Sequence, residues 1–459
     1  MSRGKNNTRK RRDRIHRNIA PMPPDYKKEL LPYAVVKLLT GAQATPNYRM
    51  KADLVRLVWN NEDEVLHVED YQIAKSVADQ IWQEQVEAKN LLPSLNTAPV
   101  ALELHLLAAR YVRKIVNSKV GGKKKLIFIK DRSGCGYWRM VVPARYIDPG
   151  DYHIDMAETE VVYDYLLEYD VIVVQRLHSW REFYTIERLK RQGKRVVYDI
   201  DDDIFNIPDD NPAVRIIRRD EQAAARAIMD ICDSVTTTTE VLKQKLGCPE
   251  KTVVIPNAID FDDGYPARYL GSPDEWKRIL WMGSPTHEMD WHECISAVDG
   301  ILKSRDDVRL LILGYLPQII AKLVDDPGKP YWDARVEFSD FQEIETYVAT
   351  TKCLRAEVAL APLCGNSFTA GKSNLKWIEY TGVGAPVVAS NVTPYKEDIE
   401  HGVNGILAST QEEWFEAIMH LLDDSDEGAQ LVSGAVKTIE ERFDVKRVVK
   451  DWERAILGA

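Results

Sequence analysis

Short β-branched runs, each followed by a helix-spaced segment, recur through most of this chain and leave few folds open to it. "LIFIK" (126–130), "VIVVQ" (171–175), "RVVYDI" (195–200), "SVTTTT" (234–239) and "TVVIP" (252–256) form a first series. A turn-rich stretch follows over 257–276. The rhythm then restarts with "RILWMG" (278–283), "VRLLILG" (308–314), "ARVEFS" (334–339), "EVALAPL" (357–363) and "APVVAS" (385–390). Runs this apolar have no solvent face, so they belong in parallel sheets covered by helices on both sides. The expectation is an α/β fold: two Rossmann-like domains in series, facing a cleft. Ligands of such sheets sit beyond the carboxyl ends of the strands.

The segments before this series read differently. Residues 1–20, "MSRGKNNTRKRRDRIHRNIA", are dense in Lys and Arg, and residues 21–120 carry helical spacing with no convincing strand. The first reads as a basic disordered tail, open to contact with a polyanion. The second reads as a helical N-terminal extension. Net charge is −10, so the body as a whole does not attract nucleic acid or anionic lipid. The six cysteines form no C-x-x-C pair, which points away from a zinc site or a disulfide framework and towards a reducing cytoplasm. The basic start lacks a secretory h-region, and "APVALELHLLAARYV" is broken by Glu103, His105 and Arg110, so no membrane span is expected.

One segment, "TAGKSNLKWIEYTGVGAPVVAS" (369–390), carries the sharpest chemical signal. Ser373 is the expected N-cap of a helix running to about Thr381. Gly371 permits close backbone approach, Lys372 adds a charge, and Asn374 lies beside them. A helix mouth of this kind favours a phosphate or diphosphate. Glu379 lies about 9 Å further along the axis, at about 1.5 Å per residue, where a carboxylate can accept bonds from a sugar hydroxyl. A capped amphipathic helix with a solvated glutamate fits the same residues.

A second signal is "VVYDIDDDIFNIPDD" (196–210), where a strand ends in Asp199, Asp201, Asp202 and Asp203. Such carboxylates need cations, donors or solvent to sit together. A divalent-metal D-x-D site, a nucleophile loop of phosphatase type, a wall gripping sugar hydroxyls and a plain acidic N-cap cluster all remain open. The phosphatase version lacks its later G-D-x-x-x-D loop. Asp199 and Asp201, with His178 after the second strand, are the catalytic candidates. Gly134, Gly136 and Arg139 follow the first strand and read as a loop that clears a ligand or acceptor. Gly283, Ser284 and His287 end the first strand of the second series, where backbone amides and the imidazole can address a diphosphate. His287, His292 and Glu293 fit no zinc spacing, so no metal site is expected there.

Taken together, "RVVYDIDDDIF", "CDSVTTTTEVLKQKLG", "VVIPNAID", "WMGSPTHEMD" and above all "GKSNLKWIEYTGVGAPVVAS" resemble GT-B glycosyltransferases of the retaining group 1, family-4-like kind, over roughly residues 126–425. The resemblance implies a nucleotide diphosphate sugar bound by the C-terminal domain, with Glu379 on the ribose. It implies that no metal or other cofactor is needed, and that the acceptor hydroxyl attacks from the face the leaving group departs. Many members carry a second glutamate eight residues before the first, associated with the donor sugar; this chain has Gly371 there. The family's basic pair after the first strand of this domain is replaced by "GSPTHEMD", so phosphate contact falls to Lys372, Ser373 and backbone amides. Asp199 to Asp203 stand where many relatives have a cleft histidine.

The expected domains are then 1–20 (tail), 21–120 (helical extension), 121–262 (N-terminal acceptor domain), 263–440 (C-terminal nucleotide-sugar domain) and 441–459 (C-terminal helix). The expected function is a cytoplasmic glycosyltransferase that moves a sugar to a hydroxyl acceptor, either a glycan or, through the basic tail, a hydroxylated base in modified DNA. The alternative is a non-catalytic nucleotide-sugar or glycan-binding protein.

Overall fold

The computed structural model describes residues 123–458 apart from 132, 149, 151, 159–165, 267–274 and 343. The expected tail and helical extension lie outside the described residues.

Two six-stranded sheets organise the described chain. The first has the order β2-β1-β3-β4-β5-β6, with β1 Lys124–Lys130, β2 Tyr152–Glu158, β3 Val171–Gln175, β4 Arg195–Asp199, β5 Ser234–Thr237 and β6 Thr252–Val254. The second has the order β12-β11-β10-β7-β8-β9, with β7 Lys277–Gly283, β8 Val308–Gly314, β9 Val336–Asp340, β10 Val358–Ala361, β11 Val387–Ser390 and β12 Ile406–Ala408. The pairing is parallel from β2 through β4 and throughout the second sheet. The helices include α1 Trp180–Arg191, α2 Arg219–Ile231, α3 Glu240–Lys245, α4 Ile295–Ser304, α5 Ile344–Thr351, α6 Leu375–Val383, α7 Gln411–Asp423 and α8 Ser425–Arg442.

The strands behave as their composition demands. Every residue of β3 is buried, as are the aliphatic centres of β7 and β8. Around β7 and β8 a continuous core takes in Trp281, Trp291, Trp332 and Trp414, with α4 and α7 supplying Val298, Ile301, Ile418 and Leu421. The Trp281 and Trp291 rings lie 5.4 Å apart in a tilted arrangement. The sequence runs did not reveal β2 and β12. β2 reads "YHIDMAE" and places Asp155 in the protein, where Tyr169 Oη donates to it at 2.6 Å. β12 is three residues long. Both lie at sheet edges, where an uninterrupted apolar run is not required.

Residue contacts divide the described chain into two compact units. One holds residues 200–222 and 236–452; the other holds 123–199, 223–235 and 453–458.

Candidate functional site

In the unit containing 236–452, the chain leaves β10 through Leu363 and Cys364 and approaches α6 along a tied-down path. Asn366 N donates to Thr369 Oγ1 at 3.0 Å, Thr369 N donates to Asn366 Oδ1 at 2.9 Å, and Thr239 Oγ1 donates to the Gly371 carbonyl at 3.0 Å. Lys372 is extended (φ −67°, ψ 162°), and the helix itself begins at Leu375. The N-cap is Asn374, one residue later than expected, and no side chain caps the helix. Asn374 Nδ2 donates instead to Asp398 Oδ2 at 2.7 Å, and Ser373 Oγ accepts from Asn257 Nδ2 at 2.8 Å. The cap role expected of Ser373 is therefore corrected. The consequence favours a ligand: the positive end of α6 keeps its first-turn amides clear of any capping side chain.

Gly371 is buried, and a Cβ there would meet Leu242 at 3.7 Å and Asp203 at 3.9 Å, which is ordinary contact. A longer side chain at this position would run against α3 and the acidic loop. That loop divides its charges among separate cations. Asp202 Oδ1 pairs with Lys372 Nζ at 2.9 Å, and Asp203, 1% exposed, pairs with Lys245 Nζ at 3.2 Å and accepts from Asn206 Nδ2. Lys245 also donates to the Ser367 carbonyl. Burial works against the charge of Lys372, but Asp202, Asp201 and Asp290 outweigh it and hold its pKa above the ordinary lysine value.

One face of α6 lies against the carboxyl end of β7. Lys376 Nζ donates to the Met282 carbonyl and sits 5.4 Å over the Trp281 ring. Tyr380 Oη accepts from Met282 N at 2.9 Å and donates to Met282 O at 3.3 Å. Glu379, half-buried on the same helix, accepts from Tyr347 Oη of α5 at 3.2 Å. Beyond β7, Ser284 and Thr286 share a hydrogen bond of 2.8 Å, and His287 Nδ1 meets Asp290 Oδ2 at 2.7 Å. The other oxygen of Asp290 accepts from Cys364 N at 2.9 Å, which ties the loop after β7 to the approach to α6. Burial, then the charge of Lys376, lower His287 to a pKa of about 4 against the pull of Asp290. Burial also lowers Lys376 to about 8 despite Glu379 and Asp290. Gly283 has a structural reason to be glycine: a Cβ would fall 2.4 Å from the Trp281 ring.

Lys372, Glu379, His287 and Ser373 thus gather around one helix and one strand end. Lys376, Asp290 and Tyr347 belong to the same group, and sequence reasoning did not select them. The spacing of Lys376, four after Lys372 and three before Glu379, was the available signal.

The other unit gives its candidates different parts. Asp199 and Arg139 are 0% and 1% exposed, with Arg139 Nη2 2.6 Å from Asp199 Oδ1 and Nε 3.2 Å from it. Gln175 Nε2 approaches the same carboxylate at 3.5 Å. With its oxygens held inside the protein, Asp199 is the buried ion-pair partner of Arg139. Gly134 and Gly136 lie in a helical stretch capped by Ser133 where a loop was expected. A Cβ on Gly136 would lie 2.3 Å from the Asp131 carbonyl, which is sufficient reason for that glycine. His178 Nδ1 lies 2.7 Å from the Arg176 carbonyl, and the backbone amides of His178 and Ser179 donate to Glu182 at the start of α1. A carbonyl only accepts, so Nδ1 carries the proton in that bond. Arg176 itself holds a φ of 52°.

Residues 276–424 match the family described as glycosyl transferases group 1. They are a group 1 glycosyltransferase domain. It contains Gly283, Ser284, His287 and the whole of α6. A curated relative, the D-inositol 3-phosphate glycosyltransferase of Thermobispora bispora, is 23% identical over 251 residues, covering 49% of this chain and 55% of that protein. The chain thus spans about half the length of that relative. Among solved structures, HepE of Anabaena in complex with UDP and glucose aligns over 73% of this chain and 100% of its own, at 15% identity and a TM-score of 0.55. Sucrose-phosphate synthase of Thermosynechococcus elongatus aligns over 72% and 98%, at 14% identity and a TM-score of 0.52. These likenesses place the architecture around the group 1 domain in the GT-B class. No helix among the described residues is long and apolar enough to cross a membrane.

Proposed function

We propose that this protein is a glycosyltransferase that takes a sugar from a nucleoside diphosphate donor and delivers it to a hydroxyl acceptor. The observation that carries the reading is the mouth of α6. It has no side-chain cap, Lys372 stands at its entrance, and Glu379 lies about 7.5 Å along the axis from the N-cap at about 1.5 Å per residue. The diphosphate meets the amides and Lys372, and the ribose hydroxyls meet Glu379 after displacing Tyr347. Charge that develops on the departing diphosphate is stabilised by groups already in place. Retention of configuration and the absence of a metal requirement follow from the family likeness and are part of the proposal. Asp201 remains the catalytic candidate on the acidic loop; His178, the other candidate, belongs to the other unit.

HepE binds UDP and glucose by the words of its description, so UDP-glucose is the first donor to try. The test is release of nucleoside diphosphate from a panel of nucleotide sugars, without acceptor and then with a glycan or with hydroxymethylated duplex DNA. Turnover lost in Glu379→Ala and Lys372→Ala supports the enzyme. A second reading, a non-catalytic nucleotide-sugar-binding protein, is favoured by Gly371 standing where many members carry a glutamate. Tight donor binding with no turnover on any acceptor would decide for it.

A further inference from the structure

Two lysines and a histidine meet at the start of α6, and they are not equally satisfied. Lys372 has Asp202 at 2.9 Å and His287 has Asp290 at 2.7 Å. Lys376 has a neutral main-chain carbonyl and the face of an indole. Among the described residues it forms no ion pair with a carboxylate. The charged and titratable groups around it are Glu379 and Tyr380 on its own helix, Lys372 just before it, and His287 and Asp290 on the loop after β7. Tyr347 and Tyr395 lie further out, against Glu379 and Tyr380. The acids already serve other partners: Asp290 binds His287 and Cys364 N, and Glu379 accepts from Tyr347. A half-buried ammonium ion with a neutral partner gains more from an anion than an exposed one does.

Resting on the glycosyltransferase reading above, we propose that Lys376 is a further donor-binding residue, which holds the phosphate next to the ribose while Lys372 takes the distal one. The order along the chain supports this: Lys372, then Lys376, then the ribose acid Glu379. Lys376 reaches the end of β7 from α6, so a cation is present there although "GSPTHEMD" supplies none. Arrival of a phosphate raises the proton affinity of the amine. Binding is therefore strongest below the free-state value of about 8 and weakens as pH rises through it.

The experiment is titration calorimetry on the full chain with UDP, GDP, ADP and dTDP and their monophosphates, at about pH 7 and about pH 9, in buffers of different ionisation enthalpy. Wild type binds its preferred diphosphate with proton uptake and loses affinity at the higher pH. Lys376→Met binds both that diphosphate and its monophosphate about tenfold more weakly, the loss of one charge-assisted bond, and shows no pH step. Lys372→Ala weakens the diphosphate alone. Lys376→Arg keeps affinity at the higher pH. Unchanged binding in Lys376→Met, with binding lost in Glu379→Ala, overturns this inference and leaves the functional reading standing. Failure of wild type to bind any nucleotide of the panel overturns both.

Discussion

Removing Asp199 or Arg139 strands a charge inside the protein, because neither side chain has a route to water. Asp199→Ala is expected to cost about 3–5 kcal/mol of stability, as for other broken buried pairs, read from urea unfolding. A group acting on substrate would instead show normal stability and lost turnover. His287 gives a pH prediction. Its folded pKa of about 4 lies below the ordinary histidine value, so the unfolded chain binds a proton that the folded chain refuses. Stability from this residue is intact above pH of about 6.5 and falls as pH drops towards 4, by up to roughly 3 kcal/mol. His287→Asn should flatten that part of the stability–pH curve. Legibility at this scale depended on where the partner lies. Lys372 and Glu379 stood out because the helix that carries them announces itself within a dozen residues. Asp199 could not, because a carboxylate at a strand end looks the same whether it faces a substrate or an arginine 60 residues away. The position of Lys376 was not legible because its partner is a main-chain carbonyl, which leaves no mark in side-chain chemistry.

Elements were easier to read than residues wherever they are buried on both faces. β3, β4, β7 and β8 follow their aliphatic runs closely, and α6 ends at Gly384 with a φ of 85°, a conformation glycine adopts without strain. Gly382, just past the expected end near Thr381, lies inside the helix, buried against Ile259 and Tyr265. The start of α6 was placed one residue early because Ser373 has the chemistry of a cap, but its hydroxyl is drawn to Asn257. The glycines after β1 were misjudged because "SGCG" has the composition of a loop while Ser133 caps it into a helix. Gly136→Ala tests that element: the added methyl meets a backbone carbonyl that cannot swing away, so a loss of about 1–3 kcal/mol is expected in urea unfolding. A stabilised variant would show that the segment relaxes and that its packing is not what demands glycine.

Across the whole molecule, the alternation of strands and helices was enough to give two parallel sheets in series, since a chain of this composition has no other way to bury so many both-sided strands. The short edge strands β2 and β12 escaped, as strands that need little apolar continuity. A ligand that binds only the folded protein stabilises it by mass action, about 2.7 kcal/mol at a hundred times its dissociation constant. The preferred nucleoside diphosphate should therefore raise the melting temperature more than its competitors, and Glu379→Ala should abolish the difference. The most direct measurement is a crystal structure with that diphosphate bound. Phosphate oxygens are expected within hydrogen-bonding distance of Lys372 and the first-turn amides of α6, with both ribose hydroxyls on Glu379. A nucleotide seated elsewhere, or one whose ribose leaves Glu379 bonded to Tyr347, would contradict this placement.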